Sequence, residues 1–232
     1  SPHLRPELPG ELVERFRRKV QRLEPGYAPE SVEELLAWLD ERIYLPIQEW
    51  QELLDAMRRD GVEEPEAMSV ELGDRLQRLG EDERGRGLLL AERRRLLDRA
   101  AARSESEPEN SDLAGAPDEL LSRWLAYYPP IALSRLYELL PVPRENLERA
   151  LDHLTASGAV LVDRFTAGTT EEQVCSRENL ERLLRMRRAA ARAEIEPLTA
   201  EEYQYFLARR QGVAEPGESI EELERRLEQL FG

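Results

Sequence analysis

Lysine is almost missing from this chain of 232 residues: of its 33 cationic side chains only Lys19 is not an arginine. Nearly all positive charge is therefore guanidinium, able to fork onto phosphate or carboxylate. Cysteine is as scarce. The single Cys175 excludes an internal disulfide, and without a neighbouring Cys or a paired His it makes no metal site, which fits a reducing cytoplasm. It reads as a buried structural thiol on a strand. The two histidines are His3, near the start, and His153, beside Asp152; neither has a nucleophile or metal partner at usable spacing, so no catalytic constellation is visible. No apolar run is long enough for a membrane span, and no signal peptide or lipidation motif is present. Also absent are a G-x-x-x-x-G-K-[ST] loop to cradle phosphates and an Asp-Glu-x-His strand to hold magnesium, so this chain alone is not expected to hydrolyse ATP. Aromatic residues are few, and Trp38, Trp50 and Trp124 lie on apolar helix faces as core residues.

What the chain has in excess is acid. A formal charge of -15 weighs against a simple DNA-binding protein, because phosphate contacts supply most non-specific affinity. The charge is unevenly spread. Residues 104–116, within the stretch SESEPENSDLAGAPD, are acidic and breaker-rich and read as a linker. The helix expected over Ser176–Glu194 instead holds Arg177, Arg182, Arg185, Arg187, Arg188 and Arg192 against Glu178, Glu181 and Glu194. Those arginines either meet phosphate or pair with glutamates on neighbouring helices.

Residues 117–175 carry the clearest order of elements. Pro117 opens a helix with Leu120, Leu121, Trp124, Leu125 and Tyr128 at helical spacing, stopped by Pro129-Pro130. A short strand at 131–133 and a short helix from Ser134 to Leu140 follow, closed by Pro141-Val142-Pro143. Arg144–Ser157 forms a third helix with Gly158 as its C-cap, and AVLVDRFT with EQVCS predicts a β-hairpin. This is the order of a winged helix: the third helix is the candidate recognition helix and the hairpin the wing.

The N-terminal domain, residues 1–103, reads as helical throughout. Gly10–Leu23, the segment beginning at the Ser31–Glu34 capping box, and Pro46–Asp60 predict three helices of one small domain, with Met68–Leu79 a further helix candidate. The run GRGLLLAERRRLLDRAAAR fits a helix by its leucine spacing. It also fits a hairpin, Gly87–Ala91 against Arg94–Asp98, that would make this region a degenerate second winged helix. Residues 176–232 continue as the Arg-rich helix, a helix opened by a Thr199–Glu202 capping box, and a last amphipathic helix with Ile220, Leu223, Leu227 and Leu230 on one face. An apolar face of that kind, ending at Phe231-Gly232, suggests a piece of something larger and predicts an oligomer or a docking partner.

This succession of winged helix, strand ending in Cys175, and RLLRMRRAAARAEIEPLTAEEYQYFLARRQGV resembles the C-terminal region of the long Lhr-type superfamily 2 helicases. The resemblance covers about Leu120 to Leu230, and ELVERFRRKVQRLEPGYAPESVEELLAWLDE resembles the segment preceding it in those proteins. It departs from the family at Val174, where a Trp is usual. The fold class implied is mostly α, with tandem helical or winged-helix modules and a small hairpin wing. The role implied is that of a non-catalytic fragment of a large ATP-dependent helicase of DNA repair, cytoplasmic, with ATP and magnesium belonging to motor domains absent from this chain and no cofactor of its own.

Two partner classes follow. As a binder of single-stranded or forked DNA, Arg144, Asn146, Arg149 and His153 would face the nucleic acid, Arg164 and Thr169 would contact phosphate from the wing, and Arg185, Arg188 and Arg192 would guide the strand. Glu145, Glu148 and Asp152 on the same helix oppose this. As a scaffold, the acidic helices would pack on other domains of the parent protein or on a second copy.

Overall fold

The computed structural model describes residues 7–80, 87–102, 115–191 and 199–210, together with 220, 224 and 228. Residues Ser1–Ala190 make one compact unit and Ala191–Gly232 a second. Within the first, α1 (Gly10–Val20) is followed by α2 (Val32–Arg42), β1 (Leu45–Pro46), α3 (Ile47–Arg59), α4 (Pro65–Glu71), β2 (Leu76–Leu79) and β3 (Gly87–Leu90). Then come α5 (Arg94–Ala101), α6 (Ala116–Leu125), β4 (Ile131–Ala132), α7 (Leu133–Leu139), α8 (Arg144–Ala156), β5 (Val160–Asp163), β6 (Gln173–Ser176) and α9 (Arg177–Ala190). The described residues are thus mostly helical, with two small antiparallel sheets.

The two sheets are built the same way. Their strand orders are β1-β3-β2 and β4-β6-β5, and each follows the sequence helix, strand, helix, helix, strand, strand. The hairpin expected after α8 is present, β5 pairing with β6 from Val160↔Ser176 to Asp163↔Gln173. Gly158, with φ +72°, ends α8 in the left-handed conformation that a β-carbon disfavours.

The N-terminal half departs from the expectation of continuous helix. Met68–Leu79 is helical only as far as Glu71; Gly73 turns the chain at φ +52°, and Leu76–Leu79 is strand. The hairpin of Gly87–Ala91 with Arg94–Asp98 does not form. Instead β3 pairs with β2 on one side and β1 on the other, and Arg94–Ala101 is helix. The apolar run of β3, GLLL, is buried along its whole length, which is why it carries no alternation in sequence. Gly87 is required there: a β-carbon would sit 2.4 Å from the Tyr44 ring and 2.6 Å from the Leu45 carbonyl.

The two halves share one core. Ile43, Tyr44, Leu89, Leu97 and Ala100 pack with Leu120, Leu121, Trp124, Leu125, Leu136 and Leu147. The Trp124 indole donates to the Tyr44 carbonyl at 3.2 Å and stacks on Tyr128 at 3.8 Å between centroids. Ile43 ends α2 at φ 62°, a strained conformation for a β-branched residue, and complete burial holds it there. One residue before it, the Arg42 guanidinium is 1% exposed, ion-paired with Glu49, hydrogen-bonded to the Tyr128 hydroxyl at 3.0 Å, and lies over the rings of Trp38, Tyr127 and Tyr128. Burial opposes its charge, but Tyr128 and Glu49 more than offset it and hold its pKa above the usual value.

The first helix also lies elsewhere than expected. Leu8, Leu12 and Phe16 form a separate cluster with Phe165, Cys175 and Leu183, so α1 packs on α9 and the second sheet rather than completing an N-terminal three-helix domain. The segment before it bridges to the hairpin, Leu8 donating to the Phe165 carbonyl at 2.7 Å and accepting from the Ala167 amide at 2.9 Å. In the second unit, α10 (Ala200–Arg210) opens with the expected capping box: Thr199 Oγ1 accepts from the Glu202 amide at 3.2 Å, and the Glu202 carboxylate accepts from the Thr199 amide at 2.8 Å. Of the expected last helix, Ile220 is helical and exposed; Leu223, Leu227, Leu230, Phe231 and Gly232 lie outside the described residues.

Removing one partner of a buried ion pair costs about 3–5 kcal/mol, whereas replacing both by well-packed apolar groups is often neutral. Glu49→Ala is accordingly expected to shift the urea midpoint of unfolding strongly downward, and Arg42→Met/Glu49→Leu to recover most of that loss. A second test concerns Asp60, at the end of α3. Its carboxylate accepts from Arg59 at 3.0 Å and from the amides of Gly26 and Ala28 at 2.9 and 3.2 Å, which hold its pKa below the usual carboxylate value. A depressed pKa stabilises above the unfolded value of about 3.9 and is lost as pH falls through the folded one. The difference in thermal midpoint between wild type and Asp60→Asn should be present at neutral pH and vanish in acid.

Candidate nucleic-acid interface

The sequence places the interface on α8, the hairpin and α9, and these three elements adjoin. Their exposed surfaces differ in charge. On α8 the solvent-facing residues are Arg144, Arg149 and His153 with Glu145, Glu148 and Asp152, so with neutral histidine the face is net acidic. Arg144 is already neutralised: its Nε donates to Glu148 at 2.7 Å, its guanidinium lies 4.6 Å from the Tyr137 ring centroid, and the Glu148 hydrogen bond raises its pKa. Arg149 is exposed. His153 Nδ1 lies 3.3 Å from Asp118. A groove of about 500 Å³ beside this helix has an apolar floor of Leu133, Tyr137, Leu151 and Val162 and an acidic rim of Glu148 and Asp152. That chemistry repels phosphate.

Asn146 does not face solvent, correcting its place in the predicted site. It is 4% exposed, and its amide donates to the carbonyls of Ala100 and Ala102 at 2.8 and 2.9 Å, closing the end of α5. The signal was in the sequence. RENLER occurs at 144–149 and again at 177–182, and the second asparagine, Asn179, is buried in the same manner. Its amide donates to the carbonyls of Leu125, Ala126 and Tyr128 at 3.2, 2.8 and 2.9 Å, closing the end of α6. Each copy ties a helix start to the end of an earlier helix.

The hairpin is held firmly. The Gln173 side-chain oxygen accepts from the amides of Phe165 and Thr166 at 3.1 and 3.0 Å, shaping the chain as it leaves β5. Arg164 is exposed and Thr169 half-buried. Beneath them Cys175 is fully buried, and burial pushes its thiol up to about 12.

On α9 the arginines differ from many of those elsewhere in the chain. Arg17, Arg22, Arg58, Arg75, Arg93, Arg94, Arg123 and Arg135 each meet a carboxylate. Among the described residues no carboxylate pairs with Arg185 or Arg188, which are exposed; Arg188 donates only to the Leu184 carbonyl, Arg177 to that of Gly158, and Arg182 to the Asn179 side chain. Arg192 lies outside the described residues. Among those residues no group of three or more His, Cys, Asp or Glu could hold a metal ion, and no helix is long and apolar enough to cross a membrane.

The chain matches no protein-family model, and no curated protein matches it in sequence.

With its thiol buried and its pKa raised, Cys175 should resist a thiol reagent at pH 8 in the native protein and react at once in denaturant; rapid labelling of the folded chain would contradict the packing of α1 over the second sheet.

Proposed function

We propose that this chain is a tandem winged-helix piece of an Lhr-type helicase, a cytoplasmic DNA-repair protein, and that its part is to bind nucleic acid while ATP and magnesium serve motor domains elsewhere. In support, two modules repeat one connectivity, each ending in a hairpin that matches the wing of the resemblance. The observation that carries the binding role is that Arg185 and Arg188 of α9 are exposed and have no carboxylate partner among the described residues; Arg164 of the hairpin is exposed as well. Guanidinium groups left unneutralised at the surface are available to phosphate oxygens. The contacts sit on the wing and α9 rather than on the acidic face of α8, so binding is to the backbone and weakly selective for sequence.

A scaffold or oligomerisation role is the second reading, favoured by the charge of -15 and by Tyr203, Tyr205 and Phe206, which stand exposed on α10.

The test is fluorescence anisotropy with single-stranded, duplex and forked DNA across a salt series. Arg164→Gln/Arg185→Gln/Arg188→Gln should weaken binding and lower the salt slope by about one unit per lost phosphate contact. An unchanged slope, or no wild-type binding at low salt, would favour the scaffold.

A further inference from the structure

Nothing in the sequence marks α1 as part of an interface, since its basic residues lie more than 150 positions before α9. The fold brings the two together. The apolar side of α1, Leu12 and Phe16 with Val13 and Val20 against them, packs in the cluster that holds Leu183 of α9, with Leu180, Leu184 and Met186 around it. The Arg182 guanidinium lies 5.2 Å from the Phe16 ring centroid, a cation–π contact joining the helices.

What this leaves outward is positive. Along α1 stand Arg15, Arg17, Arg18 and Lys19 against Glu11 and Glu14, and along α9 Arg177, Arg185 and Arg188 against Glu178 and Glu181, while Arg182 and Arg187 are half-buried. Arg17 is consumed by Glu14 and Glu52. Arg15, Arg18 and Lys19 are exposed and, like Arg185, make no ion pair with a described residue.

We infer that α1 and α9 form one cationic ridge and that its partner is the phosphodiester backbone of a nucleic acid, so that the N-terminal helix is a second half of the binding surface. The inference rests on the nucleic-acid reading above and extends it to residues that reading does not use. Packed helices lie about 8–10 Å apart, comparable to the screening length of about 8 Å at physiological salt. The fields of the two helices therefore add, while the acid that dominates the rest of the chain is largely screened at greater distances. A net charge of -15 is thus compatible with a local attraction for a polyanion. Arginine suits this task, forking onto phosphate oxygens.

The experiment uses the whole chain and a fluorescein-labelled oligonucleotide, single-stranded and annealed to its complement, titrated at several salt concentrations. The variant is Arg15→Gln/Lys19→Gln, one helical turn apart on α1. The control is Arg95→Gln/Arg99→Gln, an equally spaced and exposed pair on α5 that removes the same charge. All are solvent-facing, so thermal unfolding followed by circular dichroism should be the same in all three proteins. The expected result is wild-type binding whose salt slope falls by about one unit per lost phosphate contact in the α1 variant and is unchanged in the control. If the wild type binds and the α1 variant matches it, the ridge is overturned while the binding function stands. If both variants weaken binding equally, only total charge matters and the ridge is again overturned. If the wild type binds neither probe at low salt, both readings fall. Light scattering supplies the last arm: self-association of the wild type that the α1 variant abolishes, without effect on oligonucleotide binding, would make the occupant a second copy of the chain.

Discussion

A guanidinium buried at the end of α2 constrains the rest of the first unit. Taking a charge out of water costs several kcal/mol even after relaxation, so Arg42 is tolerable only where countercharge and hydrogen bonds surround it. Glu49 comes from the next helix of the same module, but Tyr128 comes from the other module, 86 residues later. Neither half satisfies the charge alone. The same junction holds the Trp124 indole on the Tyr44 carbonyl, the Tyr44 ring against Gly87, and Ile43 in its strained conformation. These polar contacts and one apolar cluster thus lock the two sheets' modules into a single core.

The repeat of architecture is accompanied by a repeat of a local device. In both RENLER segments the first arginine and the two glutamates face solvent while the asparagine turns inward to carbonyls at the end of an earlier helix. Helix ends leave carbonyls without partners, and a buried end must find donors. An asparagine amide has two donor hydrogens and serves this well. Asn146, in the first turn of α8, is therefore part of the framework rather than of a recognition surface.

Charge is unevenly matched along the chain. Many arginines of the N-terminal half, with Arg123 on α6 and Arg135 on α7, meet nearby carboxylates, and the α8 face is net acidic, while on the adjoining helices Arg15, Arg18 and Lys19 of α1 and Arg185 and Arg188 of α9 are without ion pairs among the described residues. On the proposed reading, a chain whose total charge repels nucleic acid presents in this way one surface that attracts it.

The module after residue 115 was legible because punctuation marks each of its elements: Pro117 at one helix start, Pro129-Pro130 at its end, Pro141 and Pro143 before the next, Gly158 after it. Local sterics act within a few residues and need no knowledge of the partner, so α6, α7, α8 and the hairpin follow from the sequence. The capping box at Thr199 is of the same kind. In the N-terminal half the cues are weaker: LQRL and GLLL are short and without alternation, and the pairing of β2 and β1 with β3 follows from the buried site that β3 occupies. Composition likewise determined that this chain carries one thiol, two histidines and arginine in place of lysine. Tertiary structure alone decided which polar side chains remain available, burying Asn146 under the end of α5, neutralising Arg144 with Glu148, and carrying α1 across to α9. Periodicity states which face of a helix is apolar; which neighbour covers it depends on residues far away in the chain.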